Sequence, residues 1–262
     1  MGIHQALTAG GLSGSPLMTV LTSLSLTTNL ELCLDAADSA SYTSGQKWLD
    51  RSGLGYDFFL GADGTATSTD PTFVGGVGAP SSYWSFDGGD YFTYDSANET
   101  WMQNLHKNNA IFTIISFYYT DISMLMTVNS PATSGVALRA NRLTIVGGGL
   151  DVLAKTADTS PNLTAWNMSG ISLNEATGAG GGFFYLNGAY NQVSGANTFT
   201  STYTAPSTGP ADGTAHINSY SDGSVPISAG SRLACIAIWE GTALTKANMD
   251  SIWTAMRGRF GI

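Results

Sequence analysis

The acidic and histidine side chains of this 262-residue chain are too dispersed to indicate a catalytic group. Most glycoside hydrolases need two carboxylates that converge on one bond. The sequence has isolated glutamates instead, at Glu31, Glu99, Glu175 and Glu240. The histidines, His4, His106 and His216, lie far apart, and no Gly-x-Ser-x-Gly nucleophile motif is present. We therefore predict that the chain is not an enzyme.

Aromatic side chains offer a different chemistry, which is the stacking of sugar rings. Trp and Tyr faces contact the C–H faces of sugars, while neighbouring Asn and Asp side chains bond to the hydroxyl groups. The candidates for such a glycan site are Trp84, Tyr118, Tyr119 and Trp166. The alternative is that these rings are core residues, because an aromatic residue in a strand is more often buried than exposed. The sequence leaves both interpretations open.

Composition excludes several classes of protein. The formal net charge is −9, and the ten basic residues are scattered, so we expect no nucleic-acid partner. No stretch is long and apolar enough for a membrane span, and the first 28 residues do not resemble a signal peptide, so we expect no membrane insertion. Cys33 and Cys235 cannot form a disulfide framework and are expected to be buried free thiols. The redox state of the compartment stays open.

Any site must be positioned by strands, because only 11% of the residues are charged and 32 are glycine. Long exposed helices usually carry many Lys and Glu residues, so this composition indicates an all-β protein. The stretch from Tyr83 to Tyr94 places Asp87-Gly88-Gly89-Asp90 between two short aromatic runs. Glycines reach the positive φ values of a tight turn. We predict a β-hairpin here, with Phe86 and Tyr91 packed inward.

Further strands follow from period-2 patterns and apolar runs. Leu30 to Asp35 alternates and predicts a half-buried strand, whereas Ile111 to Tyr119 is almost continuously apolar and predicts a central strand. Asn187-Gly188 between apolar flanks is the strongest hairpin signal in the chain. The other predicted strands are Met124 to Val128, Val136 to Leu138, Arg142 to Val146, Met168 to Leu173, Gly182 to Leu186 and Arg232 to Glu240.

Helical patterns occur only near the two ends. Met249, Ile252, Trp253 and Met256 form one apolar stripe, which predicts a C-terminal helix capped by Thr245 and stopped by Gly258. Residues 1–28 are expected to be an N-terminal arm, in which Ser15 and Pro16 could start a short helix. The arm is either a leader packed on the domain or an anchor to another subunit. Residues 29–262 form the predicted single domain.

The order of these segments resembles the concanavalin A-like lectin/glucanase superfamily, in particular its laminin-G-like jelly rolls. The resemblance rests on residues 30–35, 48–53, 85–91, 112–117, 184–188 and 236–245. It implies a jelly-roll sandwich of two antiparallel sheets with about 12 to 14 strands. The hydrolase branch of that superfamily carries Glu-x-Asp-x-x-Glu on one strand. None of the four glutamates here has an acidic residue at that spacing.

The resemblance also implies a possible cofactor, since laminin-G-like domains often hold one calcium ion at a loop rim. Asp35, Asp38 and Asp50 are the candidate ligands, and Asp87 and Asp90 also lie in loops. The alternative is that these side chains accept hydrogen bonds from turn amides.

Two functions fit these expectations. Jelly-roll modules of bacteriophage virion proteins are similar in composition, which implies a structural protein that decorates a capsid or forms part of a tail or fibre. Such a protein would bind other virion proteins, or its own copies, through residues 1–28, lie on the virion surface, and possess host-surface or glycan adhesion as an accessory property. The alternative is a carbohydrate-binding module of an extracellular or cell-surface protein.

Overall fold

The computed structural model describes residues 14–95, 102, 105–106, 110–120, 123–126, 134–139, 142–147, 150–156, 160–174, 181–190, 211, 213–220, 223–224 and 229–262. Several predictions fall outside these ranges, including residues 1–13 of the arm and Glu99 and Glu175. The division into an arm and a domain stays a prediction.

The described residues form two helices and sixteen strands. The first half of the chain contains α1 (Leu17–Ser23), β1 (Leu30–Asp35), β2 (Lys47–Trp48), β3 (Phe58–Leu60), β4 (Thr72–Val74), β5 (Tyr83–Ser85), β6 (Phe92–Tyr94), β7 (Ile111–Tyr119) and β8 (Ser123–Met126). The second half contains β9 (Gly135–Arg139), β10 (Arg142–Gly147), β11 (Leu150–Thr156), β12 (Trp166–Asn174), β13 (Gly182–Leu186), β14 (Ala189–Tyr190), β15 (His216–Ile217), β16 (Arg232–Glu240) and α2 (Lys246–Phe260).

The strands form two antiparallel eight-stranded sheets, as the sequence predicts for an all-β sandwich. Sheet A has the order β14-β13-β12-β7-β16-β5-β4, and β1 pairs with the second half of β16. Sheet B has the order β11-β10-β9-β8-β15-β6-β3-β2. The apolar run of β7 lies in the middle of sheet A, between β12 and β16, which confirms its prediction as a central strand.

The main core lies between the two sheets. It contains large rings such as Trp48, Phe58, Trp84 and Phe92, together with alternate residues of β7 and β16. Ring centroids of Trp84 lie 5.7 Å from Trp48 and 5.3 Å from Phe92, distances at which aromatic side chains pack favourably.

A second core covers the outer face of sheet A. The two helices pack there: Leu17, Val20 and Leu21 of α1 and the buried face of α2 contact strand residues such as Cys33 and Trp239. Strand β1 is consequently buried on both faces, and the prediction of a half-buried strand is wrong. The alternating pattern did not reveal that the outer face is buried as well. Cys33 packs against the helices there, and Asp35 pairs with Arg259 of α2.

The Tyr83 to Tyr94 stretch is not a hairpin, which corrects the sequence prediction. Strand β5 pairs with β4 and β16 in sheet A, whereas β6 pairs with β3 and β15 in sheet B. Asp87-Gly88-Gly89-Asp90 therefore carries the chain from one sheet to the other. Phe86 is buried as predicted, but the inward ring on the far side is Phe92, while Tyr91 is half-exposed.

The predicted Asn187-Gly188 hairpin is confirmed. It joins β13 to β14, with φ angles of 48° at Asn187 and 91° at Gly188. Both values are positive, as a two-residue turn of this kind requires.

Helix α2 begins at the predicted cap. Thr245 and Asn248 form a reciprocal capping box at its N-terminus. The helix does not stop at Gly258, however: it continues to Phe260 and ends at Gly261, whose φ is 71°. In the described part of the chain, no helix has the length and apolar character needed to cross a membrane.

Candidate ligand-binding site

The four aromatic residues that the sequence proposed for glycan contact divide into two pairs. Consecutive strand residues point to opposite faces, so Tyr118 and Tyr119 cannot share an environment. Tyr118 belongs to the core between the sheets, and its hydroxyl lies 2.6 Å from Ser169 Oγ. Tyr119 lies on the outer face of sheet A and is half-exposed.

Trp84 and Tyr118 are corrected as ligand-binding candidates. Both have 0% relative exposure. A sugar cannot stack on a ring that has no accessible face, so their role is packing between the sheets. Tyr119 and Trp166 remain, and the structure brings these two together.

The register of sheet A aligns Trp166, Tyr119 and Arg232 across three strands. Tyr119, the last residue of β7, pairs directly with Trp166, the first residue of β12. On its other side Tyr119 pairs with Arg232, the first residue of β16. Directly opposed residues of antiparallel strands project their side chains on the same face. The three side chains therefore form a row on the outer face of sheet A, at one end of the sheet.

Tyr83 closes this row into a ring of contacts. The Trp166 ring centroid lies 5.6 Å from that of Tyr83 and 5.9 Å from that of Tyr119, both in edge-on orientation. The Arg232 Cζ atom lies 5.1 Å from the Tyr83 centroid and 4.5 Å from the Tyr119 centroid. Each of the four side chains thus touches two others.

Helix α2 supplies the remaining side. Phe260, in its last turn, has its ring centroid 5.0 Å from Trp166 and 4.9 Å from Phe117. We call the half-exposed group Tyr83, Tyr119, Trp166, Arg232 and Phe260 the outer-face patch. Nearby in the chain, Thr120 Oγ1 donates a hydrogen bond to the Leu163 carbonyl, and the Leu163 side chain is 57% exposed.

Arg232 is the chemically distinctive member of the patch. Among the described residues, no carboxylate lies within ion-pair distance of its guanidinium, and no side-chain hydrogen bond from it is formed. A cation–π contact attracts the charge but provides no acceptor for the N–H groups. The patch can accordingly offer flat apolar rings and a set of directed hydrogen-bond donors together.

The aspartates predicted as calcium ligands have other partners. Asp35 accepts two bonds from Arg259, at 2.8 and 2.6 Å, and others from the Leu17 and Ala37 amides. Asp38 accepts from Arg51 Nε at 2.9 Å and from the Ala40 amide.

Asp50 is equally occupied. It accepts bonds from the amides of Cys33, Ser52, Gly55 and Tyr56 and from the Ser52 hydroxyl. The three carboxylates do not converge, and no group of three His, Cys, Asp or Glu side chains able to hold a metal is found among the described residues. The proposal of Asp35, Asp38 and Asp50 as a calcium site is therefore corrected: Asp50 bonds to backbone amides, as the alternative expected, whereas Asp35 and Asp38 each accept bonds from an arginine in addition to amides.

Asp87 and Asp90 interact with each other at the crossing between the sheets. Asp90 accepts a bond from the Asp87 amide at 2.8 Å and is 2% exposed. Burial raises the pKa of Asp90 to about 6, and the neighbouring Asp87 side chain adds to the shift while its backbone N–H opposes it. The Asn218 side chain donates to the Asp90 carbonyl, which ties the crossing to sheet B.

The two cysteines are buried free thiols, as predicted. Burial raises the pKa of both, and the negative charge of Asp35 adds to that effect. A thiol held in its neutral form is a poor nucleophile and a poor metal ligand.

Glu31 is a partly buried carboxyl whose pKa is also raised. Partial burial is the main cause of the raised pKa, and the negative charges of Glu240 and Asp50 raise it further. Glu31 lies on β1 and Glu240 at the end of β16, at the opposite end of β16 from Arg232. The outer-face patch therefore lies apart from this carboxylate pair.

Sequence reasoning missed Tyr83, Arg232 and Phe260. Arg232 opens a predicted strand, and a basic residue there usually faces solvent without further consequence. Only the pairing of β16 with β7 shows that it lies beside Tyr119. The sequence could have shown that Tyr118 and Tyr119 lie on opposite faces of the sheet, because successive residues of a strand alternate between its inner and outer faces.

Comparison with known proteins supports the fold and little beyond it. No protein-family model and no curated protein sequence matches this chain. Among solved structures, a Trypanosoma rangeli sialidase in complex with 2,3-difluoro-KDN aligns with a TM-score of 0.53 and 13% identity, over 87% of this chain and 33% of the sialidase. The same kind of enzyme in complex with the inhibitor DANA gives a TM-score of 0.51, 14% identity and 85% and 32% coverage.

A third structure, described as Trypanosoma rangeli sialidase, aligns with a TM-score of 0.51 and 11% identity, over 91% of this chain and 38% of the sialidase. The chain thus spans only about a third of the length of the sialidases it resembles. At these identities the likeness concerns the β-sandwich fold and does not transfer the hydrolase activity.

Proposed function

We propose that this chain is a non-enzymatic structural protein of a virus particle, a capsid-decoration or tail/fibre component. Its β-sandwich, which resembles the concanavalin A-like jelly rolls, would display an adhesive surface for glycans of a host. The observation that carries the adhesive part is the outer-face patch, which has four half-exposed rings, two of them in contact with an arginine that has no carboxylate partner among the described residues.

The patch has the properties of a sugar-binding surface. Sites for small ligands combine aromatic walls with a few directed polar groups. Tyr and Trp provide large contact areas at a low entropic cost, because each has only two rotatable side-chain bonds. The similar sialidase structures include one in complex with sialic acid, so a sandwich of this kind occurs in proteins that handle carbohydrates.

The virion part rests on composition and on the arm. A surface rich in Gly, Ser, Thr and Asn, with 11% charged residues, resembles bacteriophage jelly-roll modules. Helix α1 is fixed to the sandwich by three buried apolar side chains, so residues 14–28 belong to the packed structure. Residues 1–13 are then the segment proposed to contact neighbouring virion proteins or other copies of the chain.

A particle-association experiment tests the virion part. A variant lacking residues 1–13 retains α1 and should fold, whereas deletion of all 28 residues removes Leu17, Val20 and Leu21 from the core. We expect the full chain to co-sediment with particles of the virus that encodes it and the shorter variant to remain in the supernatant. Equal co-sedimentation of both would contradict anchoring through residues 1–13.

A second candidate function is a carbohydrate-binding module of an extracellular or cell-surface protein. The same outer-face patch favours it, because nothing about the patch requires a particle. Glycan binding by a full chain that neither co-sediments with particles nor self-associates would select this function over the first.

A further inference from the structure

We infer that the outer-face patch selects carboxylate-bearing sugars, such as uronic acids, over neutral ones, and that Arg232 is the residue that binds the carboxylate. This inference rests on the proposed function, since it names the ligand class of the same surface. It depends on the position of Arg232 and not on the overall charge of the protein, which is −9 and disfavours anions in general.

The Arg232 guanidinium is held between two tyrosine rings and carries N–H donors. Arg232 is half-exposed, its Cζ lies 4.5 and 5.1 Å from two tyrosine centroids, and the ring contacts hold the side chain in place. The five N–H donors of a guanidinium form a rigid planar fork that matches a carboxylate with two parallel hydrogen bonds. Since the tyrosine rings provide no strong acceptor, this fork is available to a ligand.

Two other arginines of the described chain, one buried and one half-buried, have carboxylate partners. Arg259 has both terminal nitrogens on Asp35, and Arg51 has its Nε on Asp38. In these two places the chain supplies the anion that the guanidinium requires. At Arg232 the described residues supply aromatic rings instead, so charge complementarity calls for an anion from outside.

Aromatic rings lie beside the Arg232 guanidinium. Trp166 lies beside both tyrosines, and Phe260 lies beside Trp166. A ligand whose carboxylate meets Arg232 would therefore place its remaining atoms against aromatic rings. A sugar with an apolar C–H face and a ring carboxylate fits this combination, whereas a small inorganic anion would leave the rings uncovered.

The test compares a trigalacturonate with its methyl ester, in which a methyl group caps each carboxyl and removes its negative charge while the sugar rings stay the same. Isothermal titration of the full chain should show the free acid binding at least about tenfold more tightly, which corresponds to about 1.4 kcal/mol. Arg232→Gln should remove this preference, and Arg232→Lys should retain part of it because the charge is kept without the fork. The preference should also weaken as salt is raised.

Arg139→Gln is the matched control. It removes one positive charge from β9 in the opposite sheet, and the preference for the acid should survive it. Equal binding of acid and ester by the unchanged protein would overturn the inference while leaving glycan adhesion intact. A preference that is equally lost in Arg139→Gln and Arg232→Gln would overturn it as well, since net charge would then explain the binding. Absence of binding to acid, ester and any neutral oligosaccharide would contradict the adhesive part of the proposed function itself.

Discussion

Arg259 and Asp35 form a fully buried ion pair in which two guanidinium nitrogens meet two carboxylate oxygens, at 2.8 and 2.6 Å. The pair joins the last turn of α2 to the end of β1. Asp35 also accepts the Leu17 amide at 2.7 Å, and Arg259 Nε donates to the Pro80 carbonyl. One carboxylate thus connects both helices to sheet A and explains why α2 continues past Gly258.

Arg259→Met should destabilise the protein strongly. Removal of one partner leaves the other charge buried without compensation, which typically costs about 3–5 kcal/mol. Chemical denaturation measures the loss. Arg51→Met is the control, because the Arg51–Asp38 pair is partly exposed and such a pair is worth about 0–1 kcal/mol. Similar losses in the two variants would show that the buried pair does not organise the helices.

Asp90 should make the free energy of unfolding depend on pH. Its pKa is raised to about 6, mainly by burial, so the folded protein keeps this proton at a pH where the unfolded chain has released it. The unfolded state then binds fewer protons, and stability falls as pH rises from about 4 to about 6. Urea denaturation of the wild type and of Asp90→Asn across this range should show the smaller decline in the variant. Asp63→Asn, at an exposed loop position, should leave the decline unchanged, and an unchanged decline in Asp90→Asn would disprove the assignment.

Gly88→Ala should lower stability more than Gly89→Ala. Gly88 has a φ of 106°, which side-chain-bearing residues rarely adopt, and a Cβ there would lie 3.3 Å from the Ala229 amide nitrogen. Gly89 has no positive φ, and a Cβ there would meet only Asp87 Oδ1, at 3.6 Å. Strained backbone of the first kind costs about 1–3 kcal/mol. Thermal unfolding of both variants measures the difference, and equal midpoints would indicate that the crossing between the sheets tolerates other conformations.

Local patterns predicted the elements but not their partners. The apolar run of β7 and the Asn187-Gly188 turn were predicted correctly. A strand that is buried on both faces requires apolar residues throughout, and a turn with positive φ values favours Asn and Gly. The turn at Asp87 to Asp90 was also visible, yet the pairing of Ser85 with Arg232 and of Thr93 with His216 decides which sheet each flanking strand joins. Such pairings join segments distant in the chain and leave no local signal.

Some residues of the candidate site could be predicted from the sequence, and others could not. Trp166 and Tyr119 could be chosen from the sequence as aromatic residues, and they do lie together. The inclusion of Trp84 was wrong because its partners Trp48 and Phe92 come from other strands that close over it. The role of Arg232 depends on strand register, which a single sequence does not provide.

The most direct measurement of the central claim, that the outer-face patch is the adhesive site, is the NMR signal of each tryptophan indole N–H during titration with a panel of neutral and acidic oligosaccharides. Trp166 is half-exposed, whereas Trp48, Trp84 and Trp239 have 0% exposure. The Trp166 signal should shift with a binding oligosaccharide while those of Trp48, Trp84 and Trp239 stay in place. Binding that leaves the Trp166 signal unmoved, or a panel in which no oligosaccharide moves it, would contradict the claim.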